Sequence, residues 1–119
     1  MIRKIWKDIM EQALLVFTNV PDIELARSLA RTLVELRLAA CVNIMPAVES
    51  VYQWQGAVEQ ANEVTLIVKT VESRYAELEV VIKAVHPYDV PEIIAVPITA
   101  GLPAYLQWLT AETRKELNV

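Results

Sequence analysis

Cysteine, histidine and glycine are scarce in this sequence: its 119 residues include one cysteine, one histidine and two glycines. A single cysteine excludes a disulfide bond within the chain and fits a reducing compartment, so we expect a cytoplasmic protein. The net charge is −4 and no basic run is longer than the Arg3-Lys4 pair, which argues against nucleic acid as a partner. No apolar run approaches the ~20 residues of a membrane-spanning helix, so we expect no membrane insertion.

Sequence patterns that mark common active sites are also missing. The chain has no glycine-rich phosphate loop, no nucleophile elbow, and no CxxC, HxH or HExxH spacing. A nucleophile and its base would have to combine Cys41, or a serine or threonine, with the only histidine, His86. Nothing in their spacing indicates a reaction, so we expect that the protein is not an enzyme.

Residues 40–70 are rich in β-branched and aromatic side chains and predict one long β-hairpin. Its arms are divided by Gln55-Gly56, because glycine can adopt the positive φ that a tight turn needs. The first arm, residues 42–54, would span about 43 Å if extended, whereas a compact chain of this size is about 35 Å across. The hairpin is therefore expected to extend beyond its own domain, even with a bend at Met45-Pro46. Its bare edges predict a closed homo-oligomer.

The remaining elements follow from apolar periodicity. Apolar runs predict strands at 13–17 and 93–98, with Pro97 at a strand end or a sheet edge. Two amphipathic helices are predicted, the second with an N-cap side chain between 70 and 73, and a last helix covers 104–117. The apolar stripes of the two amphipathic helices are Leu25, Leu29, Leu33 and Leu36, and Tyr75, Leu78, Ile82 and Val85.

The order of these elements, β-α-β-β-α-β followed by a helix, predicts an α+β fold. It is the pattern of the ferredoxin-like βαββαβ sandwich, in which both helices cover one face of an antiparallel sheet. We expect a single domain over residues 13–119. Residues 1–12 form an N-terminal extension, for which a short amphipathic helix and a poorly ordered terminus are both open.

Six segments together resemble the CutA family, also called the divalent-cation tolerance proteins. They are Thr18-x-x-Pro21-Asp22, residues 38–43 (LAACVN), Tyr52-x-Trp54-x-Gly56, residues 68–70 (VKT), residues 86–92 (HPYDVPE) and Tyr105-x-x-Trp108. The resemblance covers residues 13–116 and implies a tight homotrimer of ferredoxin-like subunits whose long hairpins pair between chains. It also implies a connection with divalent metal tolerance and a loose association with copper and other divalent metals.

Cys41 and His86 are the candidate metal ligands, because thiolate suits Cu(I) and imidazole suits Cu(II) or Zn(II). One chain offers too few ligands for zinc, so a site would have to combine residues around a three-fold axis. The alternative for Cys41 is a small buried apolar residue. Family members with a suggested copper site have a cysteine and a second histidine where this chain has Phe17 and Val85. This difference counts against transferring that site.

A cleft between subunits is the second candidate site, and its ligand would be a small molecule. Its predicted lining combines aromatic walls with a few ionisable groups: Tyr52, Trp54, Lys69, His86, Tyr88 and Glu92. The alternative is that the aromatic residues only pack at the trimer interface, while Lys69 and Glu92 form a structural ion pair. A signalling module similar to the PII regulators, with a nucleotide or other effector between subunits, is the alternative function. The chain lacks the long flexible loop of those regulators and has few basic residues.

Overall fold

A computed structural model describes residues 11–115. The elements are β1 (Ala13–Val20), α1 (Ile23–Glu35), β2 (Cys41–Trp54), β3 (Ala57–Val71), a 3-10 turn (Glu72–Arg74), α2 (Tyr75–Val85), β4 (Ile93–Pro97) and α3 (Pro103–Glu112). The strands form one antiparallel sheet in the order β2-β3-β1-β4. This topology confirms the predicted α+β, ferredoxin-like fold with an additional C-terminal helix. The helix considered for the N-terminal extension falls on residues 1–10, outside the described residues.

One face of the sheet is covered by α1 and α2, and we call it the helix-covered face. Alternate residues of β1 and β3 point there and are fully buried, among them Val16, Leu66 and Val68. Leu29 of α1 and Leu78 of α2 pack against them. The residues between them in sequence lie on the opposite face, which we call the open face, because the period of a strand is two. None of the helices within residues 11–115 has the length and apolarity that crossing a bilayer requires.

Helix α1 begins and ends at identifiable capping groups. The Asp22 side chain accepts a 2.8 Å hydrogen bond from the main-chain N–H of Leu25, which satisfies a free donor of the first turn. At the other end Arg37 adopts a positive φ of 59°, and Leu38 N–H returns to the carbonyl of Leu33. This is the Schellman arrangement that closes a helix. The prediction that Leu36 continues the buried stripe is wrong, because the helix has ended and Leu36 is half exposed.

The hairpin of β2 and β3 extends well beyond the sheet. Strand β1 pairs with β3 only from Val64 to Val71, so residues 48–54 of β2 and 57–63 of β3 pair with each other alone. We call this projecting part the ribbon. It turns at Gln55 and Gly56, which both have positive φ, as the sequence predicted for a tight turn. The described chain measures 57 × 31 × 23 Å, which confirms that the hairpin is longer than the body that carries it.

A β-bulge separates the ribbon from the sheet-bound part of β2. Met45 lies opposite Thr65 and Val48 lies opposite Glu63, so β2 has one residue more than β3 across this step. The bulge falls at the predicted bend next to Pro46. It also shifts the alternation of β2 by one residue. Val48 and every second residue after it therefore point to the same side as Met45, which is the side of the open face. This series ends with Tyr52 and Trp54.

Three predicted features of the later elements are wrong. No side chain of residues 70–73 caps α2, whose N-cap is Arg74 without a side-chain hydrogen bond; Thr70 still belongs to β3, and its hydroxyl donates to the carbonyl of Leu38 at 2.7 Å. Val85 ends α2 and is half exposed. Helix α3 ends already at Glu112, and the hydroxyl of the following Thr113 donates to the carbonyl of Leu109. Pro97 ends β4, at the edge of the sheet, as predicted.

Arginine side chains join α1 to its neighbours. Arg74, buried to 7% exposure, donates to the carbonyls of Leu36 and Arg37 at 3.3 Å and to Glu77 at 2.9 Å. Arg37 in turn donates to the carbonyls of Ala111 and Arg114 at the end of α3. The guanidinium groups therefore donate to main-chain carbonyls at the C-terminal ends of two helices, where intrahelical donors become scarce.

Candidate functional site

A cleft of about 680 Å³ lies between the ribbon and residues 86–92, which we call the proline loop. Four of the six residues predicted for a ligand cleft line it: Tyr52, Trp54, Tyr88 and Glu92. The other lining residues are Asn19, Ser50, Val51, Glu63, Pro87, Asp89 and Val90. The ribbon supplies the aromatic residues of one wall: Tyr52 and Trp54 share a side because they are two residues apart, and the bulge makes this the side of the open face.

His86 lies behind this cleft rather than in its lining. It is buried to 9% exposure at the C-terminal end of α2, where the following Pro87 favours its extended backbone. Its Nε2 atom lies 2.6 Å from the carbonyl oxygen of Asn19, and its Nδ1 atom accepts from the N–H of Tyr88 at 3.3 Å. The proton is therefore on Nε2, and both ring nitrogens are bonded within the chain. His86 positions the proline loop against β1.

Tyr88 connects the proline loop to the ribbon. Its hydroxyl donates a 2.8 Å hydrogen bond to Oε2 of Glu63, and its ring lies 4.7 Å from that of His86. Burial raises the pKa of Tyr88 to about 12, with further contributions from the hydrogen bond and charge of Glu63. The phenol consequently remains a proton donor throughout the physiological pH range.

Asn19 connects the proline loop to strand β3. Its side-chain amide donates to Oε1 of Glu92 at 3.2 Å and accepts from the hydroxyl of Thr65. Asn19 reaches both because it lies opposite Thr65 in the β1–β3 ladder, close to the proline loop. Glu92 is thereby held at the rim of the cleft by a neutral donor.

Lys69 lies away from this cleft within the chain. It is six residues along β3 from Glu63, which corresponds to about 20 Å of strand. Its ammonium group donates to Sγ of Cys41 at 3.7 Å and to the side chain of Asn43. The ion pair considered between Lys69 and Glu92 is therefore not formed within one chain.

The donors considered for copper do not fit a shared metal site within one chain. Cys41 lies opposite Lys69 at the beginning of β2, whereas His86 contacts Asn19, which lies opposite Thr65. About 13 Å of β3 separate these two positions. Among residues 11–115 no three His, Cys, Asp or Glu side chains are grouped so that they could hold a metal ion. Cys41 is half-buried on the open face, and both nitrogens of His86 are already bonded.

Sequence reasoning missed Asn19, Glu63 and Asp89 as residues of the cleft. Asn19 lies beyond the predicted strand 13–17, whereas β1 continues to Val20. The available signal for Glu63 was its place directly before the apolar run 64–68 of β3, because a carboxylate that becomes buried usually has a partner. Glu63 and Asp89 add charge to the cleft, whose lining contains three carboxyl groups and no lysine or arginine.

Comparison with known proteins gives a consistent result over most of the chain. The family model described as "CutA1 divalent ion tolerance protein" matches residues 14–112. The chain is 49% identical over 104 residues to the divalent-cation tolerance protein CutA of Thermus thermophilus, covering 87% of this chain and 99% of that protein. It is 47% identical to the chloroplastic protein CutA of Arabidopsis thaliana, covering 86% of this chain but 56% of that longer protein.

Solved structures agree with the sequence comparison. The T. thermophilus divalent cation tolerance protein superposes with a TM-score of 0.84 at 48% identity, covering 86% of this chain and 99% of that one. CutA1 of Oryza sativa gives a TM-score of 0.87 at 44% identity, with 91% and 99% coverage. The likeness therefore extends over nearly the whole length of both solved chains.

Proposed function

Because the chain belongs to the CutA1 family of divalent ion tolerance proteins, we propose that it functions in divalent metal tolerance as a homotrimer. Its subunits bind a metal ion or a small ligand in clefts between them, and each cleft includes the ribbon and the proline loop of one subunit. Copper is the first metal to test. Cys41 and His86 are the proposed ligands, each together with residues of neighbouring subunits. His86 can coordinate a metal only by giving up one of its two hydrogen bonds.

The ribbon is the observation that carries the trimer. Its two strands pair only with each other, so both outer edges present free N–H and C=O groups, and natural proteins seldom leave such edges bare. Apolar side chains near its tip are strongly exposed, with Val51 and Val58 at 67% and 68%. A second copy of the chain that pairs along the ribbon would cover both the edges and these side chains.

The open face of the sheet supports the same assembly. Ile94 and Val96 of β4 are 53% and 41% exposed there, next to the half-buried Leu15, Phe17 and Ile67. A contiguous apolar area on the surface of a single chain usually marks a site of interaction with another molecule. Three subunits related by a three-fold axis would bury three open faces in a closed arrangement.

Native mass spectrometry and sedimentation at micromolar concentration test the trimer. We expect a mass of three chains. Phe17→Asp places a charge on the open face and is expected to give monomers, whereas the control Val80→Asp changes an exposed residue of α2 and should leave the trimer intact. A monomeric wild-type protein, or an intact Phe17→Asp trimer, would contradict the proposed interface.

Titration of the same trimer with Cu(I), Cu(II) and Zn(II) tests the metal. We expect a defined number of copper ions per trimer, reduced in Cys41→Ser or in His86→Ala. Stoichiometric binding that survives both substitutions would show that neither side chain is a ligand. The absence of any bound copper would remove copper from the proposal.

We further propose that the protein performs no catalysis and resides in the cytoplasm. The family description names no reaction, and His86 has no free nitrogen to serve as a base. The Arabidopsis relative is chloroplastic by name, so the compartment must be determined by fractionation. The PII-like alternative is disfavoured, because nucleotide phosphates need basic groups and the cleft lining has only acidic ones.

A further inference from the structure

We infer that the cleft between the ribbon and the proline loop binds an organic ammonium cation. The inference rests on the proposed function, in which this cleft is the ligand site, and it specifies the chemical class of the ligand. Its volume of about 680 Å³ lies in the range of small-molecule sites, roughly 300–1,000 Å³.

Glu63 provides the first argument, because its charge is not compensated. Its side chain is buried to 8% exposure, and its partner is the neutral hydroxyl of Tyr88. No cationic group pairs with it among residues 11–115, where the recorded ion pair is Arg74–Glu77. Buried carboxylates are usually paired with a positive charge. A cation in the adjoining cleft would supply that charge.

The two other carboxyl groups of the cleft reinforce this argument. Glu92 receives a hydrogen bond from the neutral amide of Asn19, and Asp89 is exposed at the rim. No lysine or arginine lines the cleft, so the potential inside it attracts cations and opposes anions such as phosphates and carboxylates.

The aromatic residues distinguish an organic cation from a metal ion. Tyr52, Trp54 and Tyr88 all line the cleft, and aromatic faces attract alkylated ammonium groups through cation–π interactions. Hard metal ions instead need several convergent oxygen ligands. In the described part of the chain the carboxylates of the cleft do not converge in that way.

Choline and its neutral isostere 3,3-dimethylbutan-1-ol form a matched pair of probes. The two molecules have nearly the same shape, and only choline has a charge. Isothermal titration calorimetry of the full-length protein should detect choline at millimolar or lower concentration and should give no heat with the alcohol. Equal binding of both molecules, or no heat with choline up to 20 mM, would overturn the inference.

Matched substitutions assign the binding to the cleft. Glu92→Gln and Trp54→Leu should each weaken choline binding about five- to thirtyfold. The lower value corresponds to the loss of a solvent-exposed contact with the cation and the upper value to the loss of a desolvated one. The controls change the same residue types elsewhere: Glu35→Gln on α1 and Trp108→Leu on α3. Controls that weaken binding as much as the cleft variants would locate the site elsewhere and overturn the inference.

The same samples separate this inference from the proposed function. Native mass spectra report the assembly and the metal content of each variant. A trimer that binds copper but not choline would retain the proposed function and remove the ammonium site. Choline binding by a monomer would retain the ammonium site and remove the trimer. Should Trp54→Leu disturb assembly, Glu92→Gln, whose side chain lies at the rim, still decides the inference.

Discussion

The hydroxyl group of Tyr88 and the carboxylate of Glu63 lie 2.8 Å apart, and this hydrogen bond joins the proline loop to the base of the ribbon. It is the one side-chain hydrogen bond between these two segments within residues 11–115. The shape of the cleft therefore depends on it.

Removing this hydroxyl should destabilise the protein. Tyr88→Phe leaves a nearly buried carboxylate without its donor, and we expect a loss of about 1–2 kcal/mol in the free energy of unfolding. The control is Tyr52→Phe, because the Tyr52 hydroxyl has no recorded partner in the described part of the chain and lies in the same cleft. Urea denaturation at fixed protein concentration measures both. Equal midpoints for the two variants would contradict the role assigned to Tyr88.

High pH should weaken the fold through two tyrosines. Burial raises the pKa of Tyr75 and of Tyr88 to about 12 from the 10.0 of free tyrosine, assisted by Glu79 and Glu63 respectively. The folded state thus holds these phenolic protons more tightly than the unfolded state. Their contribution to stability is complete below pH 10 and is lost as the pH rises from 10 to 12.

Ultraviolet titration checks this expectation directly. Tyr75 and Tyr88 should ionise near pH 12, and Tm should fall as the pH rises from 10 to 12. The double variant Tyr75→Phe/Tyr88→Phe should lack this ionisation step and show a shallower fall. A wild-type titration without a step near pH 12 would contradict the raised values.

Two buried threonines should respond in opposite directions to the same substitution. Thr18 and Thr70 both have 0% exposure, but the Thr18 hydroxyl has no partner in the described structure, whereas that of Thr70 donates to Leu38. Thr18→Val removes an unsatisfied polar group and should stabilise by about 1 kcal/mol, while Thr70→Val should destabilise by a similar amount. Thermal unfolding of both variants gives the signs, and a destabilised Thr18→Val protein would indicate a partner for its hydroxyl.

Arg74 should contribute mainly through carbonyl groups rather than through its ion pair. Arg74→Met leaves the carbonyls of Leu36 and Arg37 without a donor and should cost about 2–3 kcal/mol. Glu77→Gln removes only the charge of a partner that is 56% exposed and should cost under about 1 kcal/mol. Chemical denaturation of the two variants compares them. Similar losses would mean that the ion pair dominates.

The hairpin turn offers a test of backbone strain. Gly56 has a φ of 83° with no atom near the position of a Cβ, so Gly56→Ala should cost about 1 kcal/mol for conformational reasons alone. Gln55 also has a positive φ, of 50°, and asparagine tolerates that region better. Gln55→Asn should therefore be neutral or slightly stabilising. Differential scanning calorimetry measures the difference in stability between the two variants. Equal stabilities would mean that the hairpin can adopt a turn of another type.

Much of the fold could be predicted because local patterns agree with the topology. The glycine between two β-branched arms located the turn of the hairpin, and leucines at helical spacing located α1. The errors fall at element ends: Leu36 and Val85 lie where α1 and α2 end, and Thr113 follows the last residue of α3. A helix that ends because a side chain returns to its last carbonyls leaves no periodic signal.

The candidate site was predicted less completely. Aromatic residues and the proline loop stand out in the sequence, so Tyr52, Trp54, Tyr88 and Glu92 were identified. Lys69 and Glu63 share one face of β3, and only the pairing register shows which of them lies near the proline loop. The number of residues across the bulge, which decides where the ribbon side chains point, is likewise invisible without coordinates.

That extra residue near Pro46 also restricts how the chain can change during evolution. Deleting one amino acid there would turn Tyr52 and Trp54 to the back of the ribbon, and inserting one would do the same, because side chains alternate strictly along a strand. Related sequences that keep the aromatic wall are thus expected to differ in length at this point by even numbers of residues only. Substitutions of the neighbouring residues are free of this restriction, because they leave the alternation of side chains unchanged.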